Sequence, residues 1–201
     1  DTLGRIIEAR QPGATNAATV AYAGRTATYL DENAHQRVQT QDAFGRLAQV
    51  DEYTGNGGTQ PYALYATTQY EYDAADRLQR VTPPAPMPPT NIAYDLRGHK
   101  LSTTDPDLGT WRYTYDANGN LQSQTDARGV QVWFSYDGLN RLLTRREGNA
   151  TGRLRAEYFY DESGAGASLG RRTRSVVHEL TAEWLTRISN TVWWTYDLRG
   201  R

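Results

Sequence analysis

The sequence predicts an all-β fold: tandem antiparallel β-hairpins set side by side into a curved, spiralling ribbon. Three observations predict it. The dipeptide Tyr-Asp recurs along the chain at near-constant spacing. A turn-forming residue follows each Asp at a fixed distance. Large apolar residues alternate with mostly small or polar ones before the Tyr, with the period of two expected of a strand that buries one face.

Tyr-Asp stands at Tyr72-Asp73, Tyr94-Asp95, Tyr115-Asp116, Tyr136-Asp137, Tyr160-Asp161 and Tyr196-Asp197, in steps of 22, 21, 21, 24 and 36 residues. Asp1 and Asp42 open similar segments that lack the Tyr, with Gln41 in its place before Asp42. Three residues after the Asp come Gly4, Gly45, Asp76, Gly98, Gly119, Asn140, Gly164 and Gly200. All are Gly, Asn or Asp, the types that tolerate positive φ. Asp at the first turn position and Gly at the fourth fit a type I turn closed by a bulge residue. The Asp carboxylate can accept nearby backbone N–H groups. Two positions further an apolar residue returns as Ile6, Leu47, Leu78, Leu121 or Leu142, while Lys100 and Gly166 depart from the pattern.

Two residues before the Tyr the chain carries Tyr70, Ile92, Tyr113, Phe134, Tyr158 or Trp194. Between them lie Glu71, Ala93, Thr114, Ser135, Phe159 and Thr195. The Tyr therefore lies on the apolar face of a strand. A second turn divides the central units at Asp105–Gly109 and Asp126–Gly129. This predicts strands over Lys100–Thr104, Thr110–Tyr115, Asn120–Thr125 and Val130–Tyr136. Pro83–Pro89 reads as a rigid connector, because proline is disfavoured inside strands. Thr54–Gly58 reads as another loop. Gln11–Gly24 and Gly164–Asn190 are the least regular stretches, and His178–Trp184 reads as an irregular loop or a short helix.

Composition narrows the function classes. Basic and acidic residues number 22 and 23 and are interspersed, so no surface for nucleic-acid phosphates is marked. No apolar run approaches the length of a membrane-spanning helix. The absence of Cys excludes disulfides and Cys-ligated metals. The chain begins at Asp1 and ends inside a repeat at Arg201, so residues 1–201 read as one array cut from a longer one. Flanking repeats of the parent chain are then the expected partners. The expected sheet curls, because open twisted sheets of more than about ten strands curl or split.

Chemistry is sparse. His35, His99 and His178 have no second His at metal-ligand spacing. His99 occupies a position held by Arg or Asn in most other units and reads as a solvated strand residue. Asp105 and Asp107 are the best-placed pair for a cation, but the remaining loop ligands are missing and a turn around Pro106 is the simpler reading. Arg171, Arg172 and Arg174 read as a solvated basic cluster. Ser163 and Ser168 lie in or beside a Gly-rich loop without the strand–turn–helix context of a nucleophile. The aromatic stripe could stack on sugar rings, but its spacing suits cross-strand packing better. No catalytic, cofactor or metal site is expected, and no enzyme activity.

Tyr115–Leu121, Tyr94–Gly98, Asp42–Leu47 and Asp105–Trp111 resemble the Rhs, or YD-repeat, pattern. The matches run in register over nearly the whole chain. The resemblance implies a hairpin ribbon spiralling into a hollow shell, which in related bacterial toxins encloses a toxic domain and in teneurins supports adhesion. It implies a secreted or cell-surface bacterial protein, with an enclosed toxin domain as a further partner. The family's aspartyl autoprotease motif is not met: Asp105-Pro106-Asp107-Leu108-Gly109 reverses its Leu and Gly and lies mid-array. The leading function is a wall segment that encapsulates a toxin or other cargo. The rival is a surface adhesion or carbohydrate-binding module, with glycans or a receptor as partners.

Overall fold

The computed structural model describes residues 1–12, 16–180 and 187–197. It contains sixteen strands, and no helix among the described residues. The strands are β1 (Glu8–Ala9), β2 (Ala18–Ala23), β3 (Thr26–Leu30), β4 (Gln36–Gln41), β5 (Leu47–Thr54), β6 (Ala63–Tyr72), β7 (Leu78–Thr82) and β8 (Thr90–Tyr94). They continue as β9 (Lys100–Asp105), β10 (Gly109–Tyr115), β11 (Leu121–Thr125), β12 (Gln131–Tyr136), β13 (Leu142–Glu147), β14 (Arg153–Tyr160), β15 (Arg172–Leu180) and β16 (Arg187–Trp193). They form one antiparallel sheet whose order is the sequence order. Contacts divide the chain into two compact units, Asp1–Ile92 and Ala93–Arg201, with the boundary inside β8.

The four central strands match the sequence pattern to within a residue at each end. They do so because each is bounded by a turn whose chemistry is local. In the second unit, Asp116 Oδ1 accepts the N–H groups of Asn118 and Asn120, at 3.0 and 2.9 Å, and Gly119 N–H closes the turn on the Asp116 carbonyl. The Asp126 turn at the other end of the hairpin repeats this with Arg128 and Val130. Asp105 Oδ1 accepts the N–H groups of Asp107 and Leu108, so turn geometry accounts for its position.

One sequence reading is corrected, and two stretches where the repeat is least regular prove to hold strands. His178 lies in β15, which runs on to Leu180, and the rest of the His178–Trp184 segment lies outside the described residues. Much of the stretch that looked irregular forms the long β15–β16 hairpin, paired from Arg174↔Trp193 to Leu180↔Arg187. β2 likewise falls inside Gln11–Gly24, with half-buried Ala18, Val20 and Tyr22 alternating with exposed Thr19, Ala21 and Ala23.

Among the described residues the buried apolar side chains are few: Ala156, Ala165 and Val176. The aromatic stripe is half-buried instead. Tyr70, Ile92, Tyr113 and Trp194 alternate with exposed Glu71, Ala93, Thr114 and Thr195. Such a sheet buries its apolar face mainly through contacts between neighbouring hairpins, which makes stability nearest-neighbour in character.

Candidate functional site at the repeat junctions

Each junction is built from four positions. The Asp organises the turn, the residue three later takes positive φ, the residue four later returns to the Asp, and a Tyr arrives from the next repeat.

The φ values are 75° at Gly4, 82° at Gly45, 62° at Asp76, 93° at Gly98, 86° at Gly119, 60° at Asn140 and 91° at Gly164. Gly200 lies outside the described residues. This conformation lets the N–H of the third residue and the carbonyl of the fourth both close on the Asp, as in Asn140 N–H to Asp137 O and Asp137 N–H to Arg141 O, each at 3.0 Å. At Gly119 a side chain is excluded twice over. A Cβ there would stand 3.0 Å from His99 Nε2 as well as adopting a left-handed backbone.

The fourth residue stood out in the sequence as a place of Arg, Asn or His, but its role was not legible there. It is Arg5, Arg46, Arg77, His99, Asn120 or Arg141, always a flat side chain with N–H groups on its edge. Its edge meets the second carboxylate oxygen of its own Asp. Arg46, Arg77 and Arg141 Nε each donate to Oδ2 across 2.7 Å, and Asn120 Nδ2 across 3.0 Å. His99 Nδ1 lies 2.9 Å from Asp95 Oδ2, so with an ionised Asp that nitrogen carries the hydrogen. For Arg5, Arg46, His99 and Arg141 the flat face meets the Tyr of the following repeat. The guanidinium carbon sits 3.9 Å from the ring centre for Arg5 over Tyr22, 4.6 Å for Arg46 over Tyr72 and 4.5 Å for Arg141 over Tyr160. The His99 ring stacks on Tyr115 at 4.5 Å and 20°. His99 is therefore a packed junction residue, not a solvated one.

The Tyr completes the contact. Its hydroxyl donates to a backbone carbonyl of the preceding repeat, five residues after that repeat's Asp. The pairs are Tyr22 to Ile6, Tyr72 to Leu47, Tyr115 to Lys100, Tyr136 to Leu121 and Tyr160 to Leu142, between 2.8 and 3.2 Å. Lys100 broke the apolar pattern without consequence, because the acceptor is main chain. Burial raises the affinity of the Tyr136 phenol for its proton, and the Asp116 charge adds to this, so the group remains a donor.

Some junctions reach a third repeat element. Arg46 Nη1 pairs with Asp76 in the next turn, and Arg141 Nη1 donates to Asp161 Oδ2 across 2.7 Å. Asn120 Nδ2 donates to Asn140 Oδ1 across 2.9 Å. Asp76 and Asn140 thus combine a positive φ with a polar side chain that glycine lacks.

The carboxylates are committed to this geometry. The Arg77 guanidinium and then the Arg77 N–H hold Asp73 below its ordinary value of 3.8, against desolvation. For Asp42, desolvation is the largest single effect and pushes upward, but bonds from Arg46 and the Phe44 N–H together outweigh it. Asp95 follows the Asp42 case, with His99 and the Arg97 N–H outweighing desolvation. Asp116 and Asp137 are lowered chiefly by the Asn120 side chain and the Arg141 N–H respectively.

Two junctions are disguised. Asp31 Oδ1 accepts the N–H groups of Asn33 and His35, its Oδ2 lies 2.8 Å from His35 Nδ1, and Ala34 takes a φ of 62°. Leu30 in place of Tyr and Ala in place of Gly hid it. At Asp161 the turn is expanded, so that its N–H bonds Arg171 O and its Oδ1 accepts the Gly170 N–H. Arg171 then covers Tyr196, whose hydroxyl donates to Arg172 O at 2.7 Å. Asp197, which follows Tyr196, is exposed. Tyr94 ends β8, half-buried.

The basic cluster is also packed. Arg174 lies 3.5 Å from the Phe159 ring centre and 5.0 Å from that of Trp193, with Glu162 Oε1 accepting from its Nη2 at 2.8 Å. Arg172 lies over Tyr158 and Trp194. Ser168 is buried in the loop and donates to the Glu162 carbonyl.

The RHS Repeat family model matches residues 94–131 and 115–154, which include the Asp95 and Asp116 junctions. Double-stranded DNA deaminase toxin A of Burkholderia cenocepacia (strain H111) is 27% identical over 114 residues, covering 51% of this chain and 8% of that protein. Among solved structures, the Photorhabdus luminescens Tc holotoxin pore is similar over 90% of this chain and 10% of its own, with a TM-score of 0.71 and 17% identity. The TcdB2-TccC3-Cdc42 crystal structure is similar over the same shares, with a TM-score of 0.69 and 18% identity. The chain thus spans about a tenth of these proteins.

Proposed function

Because this chain belongs to the Rhs/YD-repeat family, we propose that its work is structural: it supplies a stretch of shell wall that encloses a toxin or other cargo within a larger secreted bacterial protein. The observation that carries the reading is the junction itself. The repeats opened by Asp1, Asp42, Asp95 and Asp137 each offer the next Tyr a carbonyl and a flat side chain that is itself held by the turn. A device that uses its polar groups to couple hairpins suits a continuous wall. Continuing the array would continue the wall, and flanking repeats are its natural partners.

The rival reading, adhesion or sugar binding through the aromatic stripe, is less well supported. Tyr115 and Tyr160 have one ring face covered by His99 or Arg141, so those faces are not open to a sugar. We assign the segment no catalytic step. Its junction carboxylates each hold backbone N–H groups and a side-chain donor.

The test is made in the intact parent protein. Deleting one unit in register, from Asp95 to Tyr115, should leave the protein expressed but expose its enclosed domain to protease. Replacing Asp116, Asp137 and Asp161 together with Ala should do the same. Unchanged protection in both variants, or binding of immobilised glycans that is lost with Tyr115→Ala, would overturn the wall reading.

A further inference from the structure

Within the first unit, the register of β2, β3, β4 and β5 sets four residues in a row. Val20 stands opposite Tyr29, Tyr29 opposite Arg37 and Arg37 opposite Glu52. Residues directly opposed in an antiparallel ladder point to the same face. The row therefore runs from apolar to aromatic to cation to anion across one face. Val20 and Tyr29 are half-buried, and Arg37 and Glu52 are exposed. The two charges stand on adjacent strands, yet they do not pair. The Arg37 guanidinium lies over the Tyr29 ring instead, 5.1 Å from its centre. Among the described residues, neither the guanidinium nor the Glu52 carboxylate has an ion-pair or hydrogen-bond partner. The nearby Asp31 carboxylate is already taken up, by Asn33 and His35. The row lines a pocket of about 430 Å³, which Ile6, Ala18 and Tyr53 also line.

We propose that this pocket binds a free α-amino acid with an apolar side chain, its carboxylate on Arg37 and its ammonium on Glu52. Three features define the ligand. Arg37 only donates hydrogen bonds and Glu52 carboxylate only accepts them, so one ligand satisfies both by carrying an acceptor anion and a donor cation. The spacing is short. Opposed residues of an antiparallel pair hold their Cβ atoms about 5 Å apart, and an α-amino acid carries its two charges on one carbon. A peptide end carries only one of the two charges, so the amino acid must be free. The rest of the row is apolar and aromatic, and Val20 and Tyr29 give the ligand side chain a surface beside its charged head. With its face on Tyr29, the guanidinium keeps its N–H edge for the carboxylate. The volume falls within the range of sites that hold small molecules. The inference does not rest on the wall reading, since none of Val20, Tyr29, Arg37 and Glu52 takes part in a junction contact.

Amide shifts of the isotope-labelled chain test it, with leucine as the probe. Saturable shifts centred on Val20, Tyr29, Arg37 and Glu52 are expected. N-acetyl-leucine lacks the ammonium and leucinamide lacks the carboxylate. Each should bind about tenfold more weakly or worse, since each loses a hydrogen bond between charged groups. Two variants at exposed side chains then assign the charges. Glu52→Gln should bind leucine and N-acetyl-leucine alike, and Arg37→Gln should bind leucine and leucinamide alike. If either variant misfolds, the three probes on the unaltered chain still decide the matter. No saturable shift at tens of millimolar leucine, or equal binding of all three probes, would overturn the proposal. Glucose shifting the same amides as tightly as leucine would assign the pocket to a neutral polyol, and would also overturn it.

Discussion

The Tyr136 hydroxyl donates to the Leu121 carbonyl across 2.9 Å, and Leu121 stands five residues after the Asp of the preceding repeat. One phenol thereby ties a strand end to a strand start. Removing only that oxygen, in Tyr136→Phe, leaves the ring in place and the carbonyl without this donor. The expected cost is about 1 kcal/mol, the typical net value of a neutral hydrogen bond. Urea unfolding should show it as a lower midpoint with an unchanged slope.

Gly119→Ala should cost about 1–2 kcal/mol from the left-handed backbone alone. The clash with the His99 imidazole adds to this. His99→Ala opens the space, so the double variant should cost less than the sum of the two single ones. A double-mutant cycle by thermal unfolding checks the sign.

Ala34→Gly should act in the opposite direction. Ala34 holds a φ of 62° without the polar side chain that serves Asp76 and Asn140. Relief of about 1–2 kcal/mol of strain exceeds the entropic cost of glycine, about 0.5–1 kcal/mol. A small rise in melting temperature is expected.

Acid should dissolve the junctions together. The carboxyls of Asp42, Asp73, Asp95, Asp116 and Asp137 all sit below 3.8 in the folded chain. A lowered folded value means that the stabilisation is complete above the unfolded value. It is lost as pH falls from there through the folded one. Melting temperature should therefore hold steady down to about pH 5 and drop steeply below pH 4. Asp137→Asn should flatten part of that drop.

Arg141→Lys keeps the charge and removes the flat fork. Lys offers a point donor and cannot at once meet Asp137, meet Asp161 and lie flat on Tyr160. The variant should melt lower than the parent chain, while Arg128→Lys, at a largely exposed side chain, should change little.

The turns and strands were legible because their causes are local. Asp, a residue tolerant of positive φ and an apolar return identify Asp116–Leu121 without reference to anything distant. The junction was only half legible. Tyr115 and Tyr136 stood out by repetition, but their acceptors are backbone atoms, which carry no residue signature. Arg46, His99, Asn120 and Arg141 were seen to share a position but read as solvated, because they differ in chemical class and share only flatness and an N–H edge. Asp31 was hidden by Leu30 and Ala34, where tertiary packing overrides turn preference. Arg174 looked solvated since its two aromatic neighbours, Phe159 and Trp193, come from flanking strands.

The expanded turn at Asp161 works like a parenthesis in a sentence. Its opening and closing marks, the Asp161 N–H and the Arg171 carbonyl, meet as they would in a short turn. The words between them, Glu162–Gly170, do not disturb the grammar that resumes at Arg172. New sequence can therefore be written into such a turn without shifting the phase of any strand that follows. An architecture with one such bracket per repeat can acquire novelty at its rim while its frame stays constant.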